Sequence, residues 1–184
     1  MIGNDIIDLS LAETESNWQR KGFLEKQFTA NEQAIIFDRG NSLEKVWRLW
    51  SMKESAYKIY TQQNEQRFFA PKKFECQLTS EDEGIVFFKD QKFYTSSIIN
   101  ESYIFTLATF DKNLKSDTLI GSPSGINKDI KNKLEEVTGF QASEIEQKKS
   151  KNGAPNYYHN NKQITKSCSI SHHGNYGVFS LLYN

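Results

Sequence analysis

The chain has no excess charge of either sign. Its 184 residues hold 23 basic and 23 acidic side chains. A balanced chain has no global field to gather nucleic acid or an anionic membrane, so any anion site must be local. Cysteine is scarce as well. Cys76 and Cys168 lie far apart and have no metal-ligand spacing, which argues against a disulfide scaffold or a zinc module and for reduced thiols. No apolar run is long enough to span a membrane. The opening MIGNDIIDL carries neither a basic n-region nor a cleavage site, so it does not read as a signal peptide, and a cytoplasmic location is expected. Zinc, dinucleotide-fingerprint and Walker patterns are all missing, as are exact repeats and low-complexity tracts.

What is present is enough apolar material for a core, 37% of residues with 13% aromatic. That suits one substantial domain or two small intertwined lobes. Ile2 to Leu9 reads as a strand carrying two acids. In FTANEQAIIFDR, Thr29 and Glu32 form a capping-box pattern at a helix start. Gly40-Asn41 breaks that helix, and Ser42 is placed to cap a long one from Leu43 to about Tyr60. The polar stretch from Gln62 to Lys73 reads as a loop. Four strand-like runs follow, FECQL, GIVFF, KFYTSSII and SYIFTLATF, separated by turn signals that suggest antiparallel pairing. The best boundary lies between Asp111 and Asn127, ahead of a helix from Ile126 closed by Gly139. Two more strand regions, around SEIEQKK and from CSIS to GVFSLL, flank the turn KNGAPN. The expected class is α+β, antiparallel strands with segregated helices, in lobes 1–110 and 111–184 that share one cleft.

One residue sits awkwardly in this outline. Trp47, Trp50 and Tyr57 mark the apolar stripe of the long helix, and Glu54 falls on the same face. A carboxylate there needs a cation nearby. One reading is a solvated pair with Lys58, four residues on. The other is a metal ligand joined by a second acid, with Asp5 and Asp8 as candidates. Strand alternation puts Asp5 and Ile7 on one face and Asp8 on the other, so both acids reach one metal only if the strand ends or bulges between them. Two carboxylates completed by water and phosphate oxygens suit magnesium. Near the end, Ser169, Ser171, His172, His173 and Gly174 offer hydroxyls, imidazoles and a flexible turn that can meet phosphate, or simply a polar strand end.

Taken together, these stretches resemble the 4'-phosphopantetheinyl transferase superfamily, in both its two-lobed Sfp-type and its small holo-acyl-carrier-protein synthase branches. The Gly-x-Asp element reads Gly3-Asn4-Asp5, and the W-S-x-K-E-[AS]-x-x-K helix runs without a gap from Trp50 to Lys58. Gly153-Ala154-Pro155 matches a G-x-P element, and Ser169-Ile170-Ser171-His172 an S-x-S-H strand. The order of elements is that of the small synthases. The strand-rich 74–110 and the region 126–182 are similar instead to halves of a two-lobed enzyme in exchanged order.

The resemblance implies transfer of phosphopantetheine from coenzyme A to a serine of an apo acyl carrier protein or related carrier domain, releasing adenosine 3',5'-bisphosphate. By the same likeness, Asp5 and Glu54 hold magnesium, Glu54 or a metal-bound water serves as the base, and Lys53 and Lys58 meet phosphate or developing charge. Ser171 and His172 bind phosphate from the other lobe. Glu32 aligns roughly with a further family acid, though its capping-box role stands beside that. Three departures stand out. Ile7 replaces a second acid and Ala154 replaces a lysine. The residues for the coenzyme's 3'-phosphate have no counterpart beyond the candidates Lys148, Lys149 and Arg20. A non-catalytic module that binds coenzyme A or a carrier protein is the alternative. A rearranged two-lobe chain predicts a complete monomeric site, and a small synthase predicts one shared in a trimer.

Overall fold

The computed structural model describes residues 1–64, 68 and 70–183. Strand β1 (Ile2–Asp8) leads into two short helices, α1 (Leu9–Glu15) and α2 (Phe23–Gln27), which carry too few periodic residues to stand out in the sequence. Helix α3 (Ala30–Phe37) starts with the expected capping box: Thr29 Oγ1 accepts from Glu32 N–H, and Glu32 accepts from Thr29 N–H. Helix α4 (Ser42–Gln63) is the long one, but its cap is Asn41, whose side chain accepts from Glu44 N–H. The expected cap, Ser42, instead donates its hydroxyl to the Ile36 carbonyl. Of the expected 62–73 loop, positions 65–67 and 69 lie outside the described residues; Gln62 and Gln63 still belong to α4, and Pro71–Lys73 form a 3₁₀ turn.

Strands β2 (Glu75–Leu78), β3 (Glu83–Phe88), β4 (Gln91–Ile99) and β5 (Tyr103–Thr109) follow as the alternation predicts. They form an antiparallel sheet in the order β1-β5-β4-β3-β2, with α4 packed on one face. The boundary segment is not all linker, because β6 (Asp117–Gly121) lies within it. Its pattern is half exposed, and only pairing with a distant strand makes it regular. Helix α5 (Ile126–Thr138) ends at Gly139 in the left-handed conformation, as expected. Beyond it come β7 (Glu146–Lys149), β8 (Pro155–His159), β9 (Lys162–Gln163), β10 (Thr165–His173) and β11 (Tyr176–Tyr183). The KNGAPN turn therefore runs directly into a strand. A second sheet has the order β10-β11-β6, and a third the order β7-β8-β9. This is the α+β class, with antiparallel sheets.

The two larger sheets meet at β1. One edge of β1 pairs with β5 through the backbone. Its other edge is met by side chains of β10, in parallel register. Ile2 N–H donates to Ser167 Oγ at 3.1 Å, Asn4 N–H to Ser169 Oγ at 2.9 Å, and Asp8 N–H to His173 Nδ1 at 2.9 Å. Ile2, Asn4 and Asp8 of one strand thus answer Ser167, Ser169 and His173 of the other, with hydroxyls and an imidazole replacing backbone carbonyls. Ile6, Phe105 and Val178 fill the apolar part of the joint.

Two glycines permit close packing on β1, Gly3 against α4 and Gly174 from the second sheet. A Cβ on Gly3 would lie 2.0 Å from the Ser55 carbonyl of α4, and one on Gly174 would lie 2.3 Å from Asp8 Oδ2, with φ at +55° besides. Backbone cannot swing aside as a long side chain can. Gly3→Ala is therefore expected to push β1 off α4 and lower stability by about 1–3 kcal/mol, read as a shift in the urea midpoint.

Candidate functional site

Alternation along β1 turns Asp5 and Ile7 toward α4 and Asp8 away, as the sequence reading has it. Ile7 is absorbed into the core. Asp8 caps α1: it accepts from Leu11 N–H at 3.2 Å and from Asn175 N–H at 3.0 Å. Burial pushes the Asp8 carboxyl up, but the donors from Asn175, Leu11 and Ser10 outweigh it and hold the group below its ordinary range. Asp8 is thus engaged elsewhere.

Asp5 and Glu54 are different. Burial raises the Asp5 carboxyl against the pull of Lys58, and its Oδ2 is buried with no hydrogen-bond partner. Glu54 is pushed to about 7, first by burial and then by the negative charge of Asp5. Among the described residues, none hydrogen-bonds the Glu54 carboxylate. Lys58 does not turn back to form the i,i+4 pair with it. Its ammonium crosses to β1, donating to the Asn4 carbonyl at 2.6 Å and lying 3.4 Å from Asp5 Oδ1.

These side chains border a cleft. A hollow of about 260 Å³ is lined by Glu54, Tyr57 and Lys58 on one wall and by Gly153, Ala154 and Ser169 on the other. A second hollow, about 450 Å³, shares Gly153, Pro155 and Ile170 with the first and adds Lys149, Ser171 and His172. Asn152 closes one end, donating to the Asn64 carbonyl at 2.7 Å and to the Thr61 carbonyl. A larger hollow of about 690 Å³, beside β3, β4 and β6, touches none of the candidate residues.

Some expectations need correcting. Lys53 does not reach the cleft. It is 1% exposed, 2.6 Å from Glu32 Oε1, and donates also to the carbonyls of Pro71 and Phe74. Glu32 is therefore both a cap and the counter-ion of Lys53. Ser171 is at the cleft wall, but its hydroxyl donates to Asn4 Oδ1 at 3.2 Å. His172 is exposed along the second hollow. Of the further cations, Lys149 faces that hollow. Lys148 pairs with Glu146, and Arg20 lies over the Phe23 ring. Both cysteines are free and buried, and burial raises the Cys168 thiol, which makes it a poor nucleophile even at the cleft wall. Asn4, Gln62 and Asn152 were not singled out by sequence, since a lone amide carries no spacing signal.

Two carboxylates, one of them with a buried and unpartnered oxygen, thus lie beside a lysine ammonium at the edge of a polar cleft. A family model of the 4'-phosphopantetheinyl transferase superfamily matches residues 1–108, which carry β1, α4 and the sheet through most of β5. The chain belongs to the 4'-phosphopantetheinyl transferase superfamily, whose general activity is transfer of a phosphopantetheine group. No curated protein matches the chain. Among the described residues, no helix is long and apolar enough to cross a membrane.

Proposed function

We propose that the chain transfers 4'-phosphopantetheine from coenzyme A to a serine of an apo acyl or peptidyl carrier protein, releasing adenosine 3',5'-bisphosphate. The observation that carries this reading is the unpartnered, buried Asp5 Oδ2 beside a Glu54 raised to about 7. Both changes mark a carboxylate pair short of positive charge. No group of three or more His, Cys, Asp or Glu side chains is assembled for a metal among the described residues. That suits magnesium, which takes one or two protein carboxylates and completes its shell with water and substrate phosphate. Asp5 and Glu54 would hold it. When bound, the ion neutralises pyrophosphate charge and orients its oxygens.

The chain's own groups do the rest. Lys58, aimed by the Asn4 carbonyl and Asp5, meets the negative charge that grows on the phosphoryl oxygens. His172 and Lys149 border the second hollow and supply donors for the nucleotide end. The carrier serine oxygen attacks the phosphorus bearing pantetheine, and the bond from that phosphorus to the bisphosphate leaving group breaks with its electron pair. Glu54, at the cleft wall, would take the proton of the serine hydroxyl as its oxygen bonds to phosphorus. In this reading, lobes 1–110 and 111–184 are one unit. Both walls of the cleft come from the same chain, so a monomer suffices.

The test is transfer read by intact mass. Protein, magnesium and coenzyme A are mixed with a panel of fatty-acid and secondary-metabolic apo carriers, alongside a chelator control. A magnesium-dependent gain of one phosphopantetheine arm is expected. Rate per mole of chain should stay constant on serial dilution, whereas a fall would reveal a site shared between chains. The burial of Lys53, the engagement of Ser171 and the presence of Ala154 favour one other reading, a module that binds coenzyme A or a carrier without chemistry. Binding by calorimetry with no mass gain on any carrier would select it.

A further inference from the structure

We infer that Asn4 is the positioning residue that ties the Ser169–Ser171 strand to Asp5 and Lys58. The inference deepens the transferase reading and rests on it for the role of Lys58. Asn4 is fully buried, and its side-chain amide uses its whole hydrogen-bonding capacity. Nδ2 donates to the Ser169 carbonyl at 3.0 Å and to Ser180 Oγ at 3.0 Å. Oδ1 accepts from the hydroxyls of Ser169 at 3.0 Å and Ser171 at 3.2 Å. Its backbone N–H donates to Ser169 Oγ, and its backbone carbonyl is the closest acceptor of the Lys58 ammonium, at 2.6 Å. The next residue in the chain is Asp5.

Asn4 is therefore the point where three elements, β10, β11 and α4, meet β1. Amide chemistry is required there. An apolar residue leaves several buried hydroxyls and a carbonyl without partners, and Asp removes both donors while facing the Ser169 carbonyl with an oxygen. The arrangement also reassigns the serines. Ser169 and Ser171 turn their hydroxyls to Asn4, so of this motif's polar side chains His172 is the one that borders the second hollow without being committed to Asn4. A network bonded at every position fixes the Asn4 carbonyl, and the carbonyl in turn aims Lys58.

A double-mutant cycle separates positioning from mere stability. Transfer rate on one apo carrier, coenzyme A affinity by calorimetry and melting temperature are measured for the intact chain as wild type, Asn4→Ala, Lys58→Ala and the pair. Asn4→Ala should lower kcat about tenfold in the wild-type background and less than about twofold once Lys58 is gone. Equal loss in both backgrounds overturns the inference and leaves the transferase reading standing. Ser171→Ala should lower kcat with KM for coenzyme A unchanged, and Ser171→Thr should restore it. A raised KM with unchanged kcat would return Ser171 to phosphate binding and overturn the joint. If Asn4→Ala does not fold, Ser180→Ala, which removes one acceptor from Nδ2, takes its place in the cycle. Should wild type bind coenzyme A without transferring, the transferase reading falls and the cycle in affinity decides: coupling upholds Asn4 and additivity overturns it. Wild type that does neither overturns both.

Discussion

Glu54→Gln is expected to abolish transfer, by about a thousandfold or more, since metal-assisted charge stabilisation is worth several kcal/mol. The fold should survive. Glutamine keeps the volume and removes a charge that the metal-free protein holds poorly, because Glu54 is raised from 4.5 to about 7 by burial and by Asp5. The sign of the pH effect follows. Between those two values the folded state keeps a proton that the unfolded state releases, so stability falls as pH rises through the window. The favourable contribution is complete below about 4.5 and gone above about 7. Its size is on the order of 3 kcal/mol before solvent screening at this partly open site reduces it. Melting followed from pH 5 to pH 8 without magnesium should therefore show the wild type declining more steeply than Glu54→Gln. Adding magnesium should flatten the wild type and leave the variant unmoved. Undiminished transfer by Glu54→Gln would remove this residue from the mechanism, and parallel pH curves would remove the burial argument.

The second large effect is structural. Glu32 accepts from the Lys53 ammonium at 2.6 Å, from Thr29 N–H at 2.7 Å and from Cys76 N–H at 2.7 Å, so it joins α3, α4 and the start of β2. Both side chains are essentially sealed from solvent. Breaking such a pair leaves a lone charge in the core and costs about 3–5 kcal/mol, a large part of the ~5–15 kcal/mol that holds a domain together. Lys53→Met and Glu32→Gln are each expected to lose that much in urea unfolding, and the double variant should recover part of it. Lys53 is next to Glu54 in sequence, so a transfer defect in Lys53→Met should follow the unfolded fraction and disappear at low temperature. A defect that persists in fully folded Lys53→Met would return Lys53 to the chemistry.

Local rules were legible wherever a pattern repeats at short range. The capping box at Thr29 and Glu32, the left-handed stop at Gly139, the alternation of β3 to β5 and the Asp5–Ile7 face of β1 all follow from neighbours within a few residues. Glu54 was visible for the same reason, as a carboxylate out of place on an apolar helical face. Helices α1 and α2 and strands β6 and β8 were not, because each is short and made regular only by what it packs against. β6 has no clear pattern until β11 lies beside it.

By itself, the sequence determined the α+β class, the long helix with its misplaced acid, and the Gly3–Asp5 and Trp50–Lys58 motifs that name the superfamily. Only the tertiary structure decided which polar side chains face the cleft. Lys53 and Lys58 are five residues apart on one helix, yet one is sealed against Glu32 and the other reaches β1. Ser171 lies within the motif that suggested phosphate, yet its hydroxyl is held by Asn4 from the opposite end of the chain. The reason is physical. A buried polar group must be satisfied by whatever the fold brings near it, and for these residues the partners lie from about twenty to more than 160 positions away in the sequence.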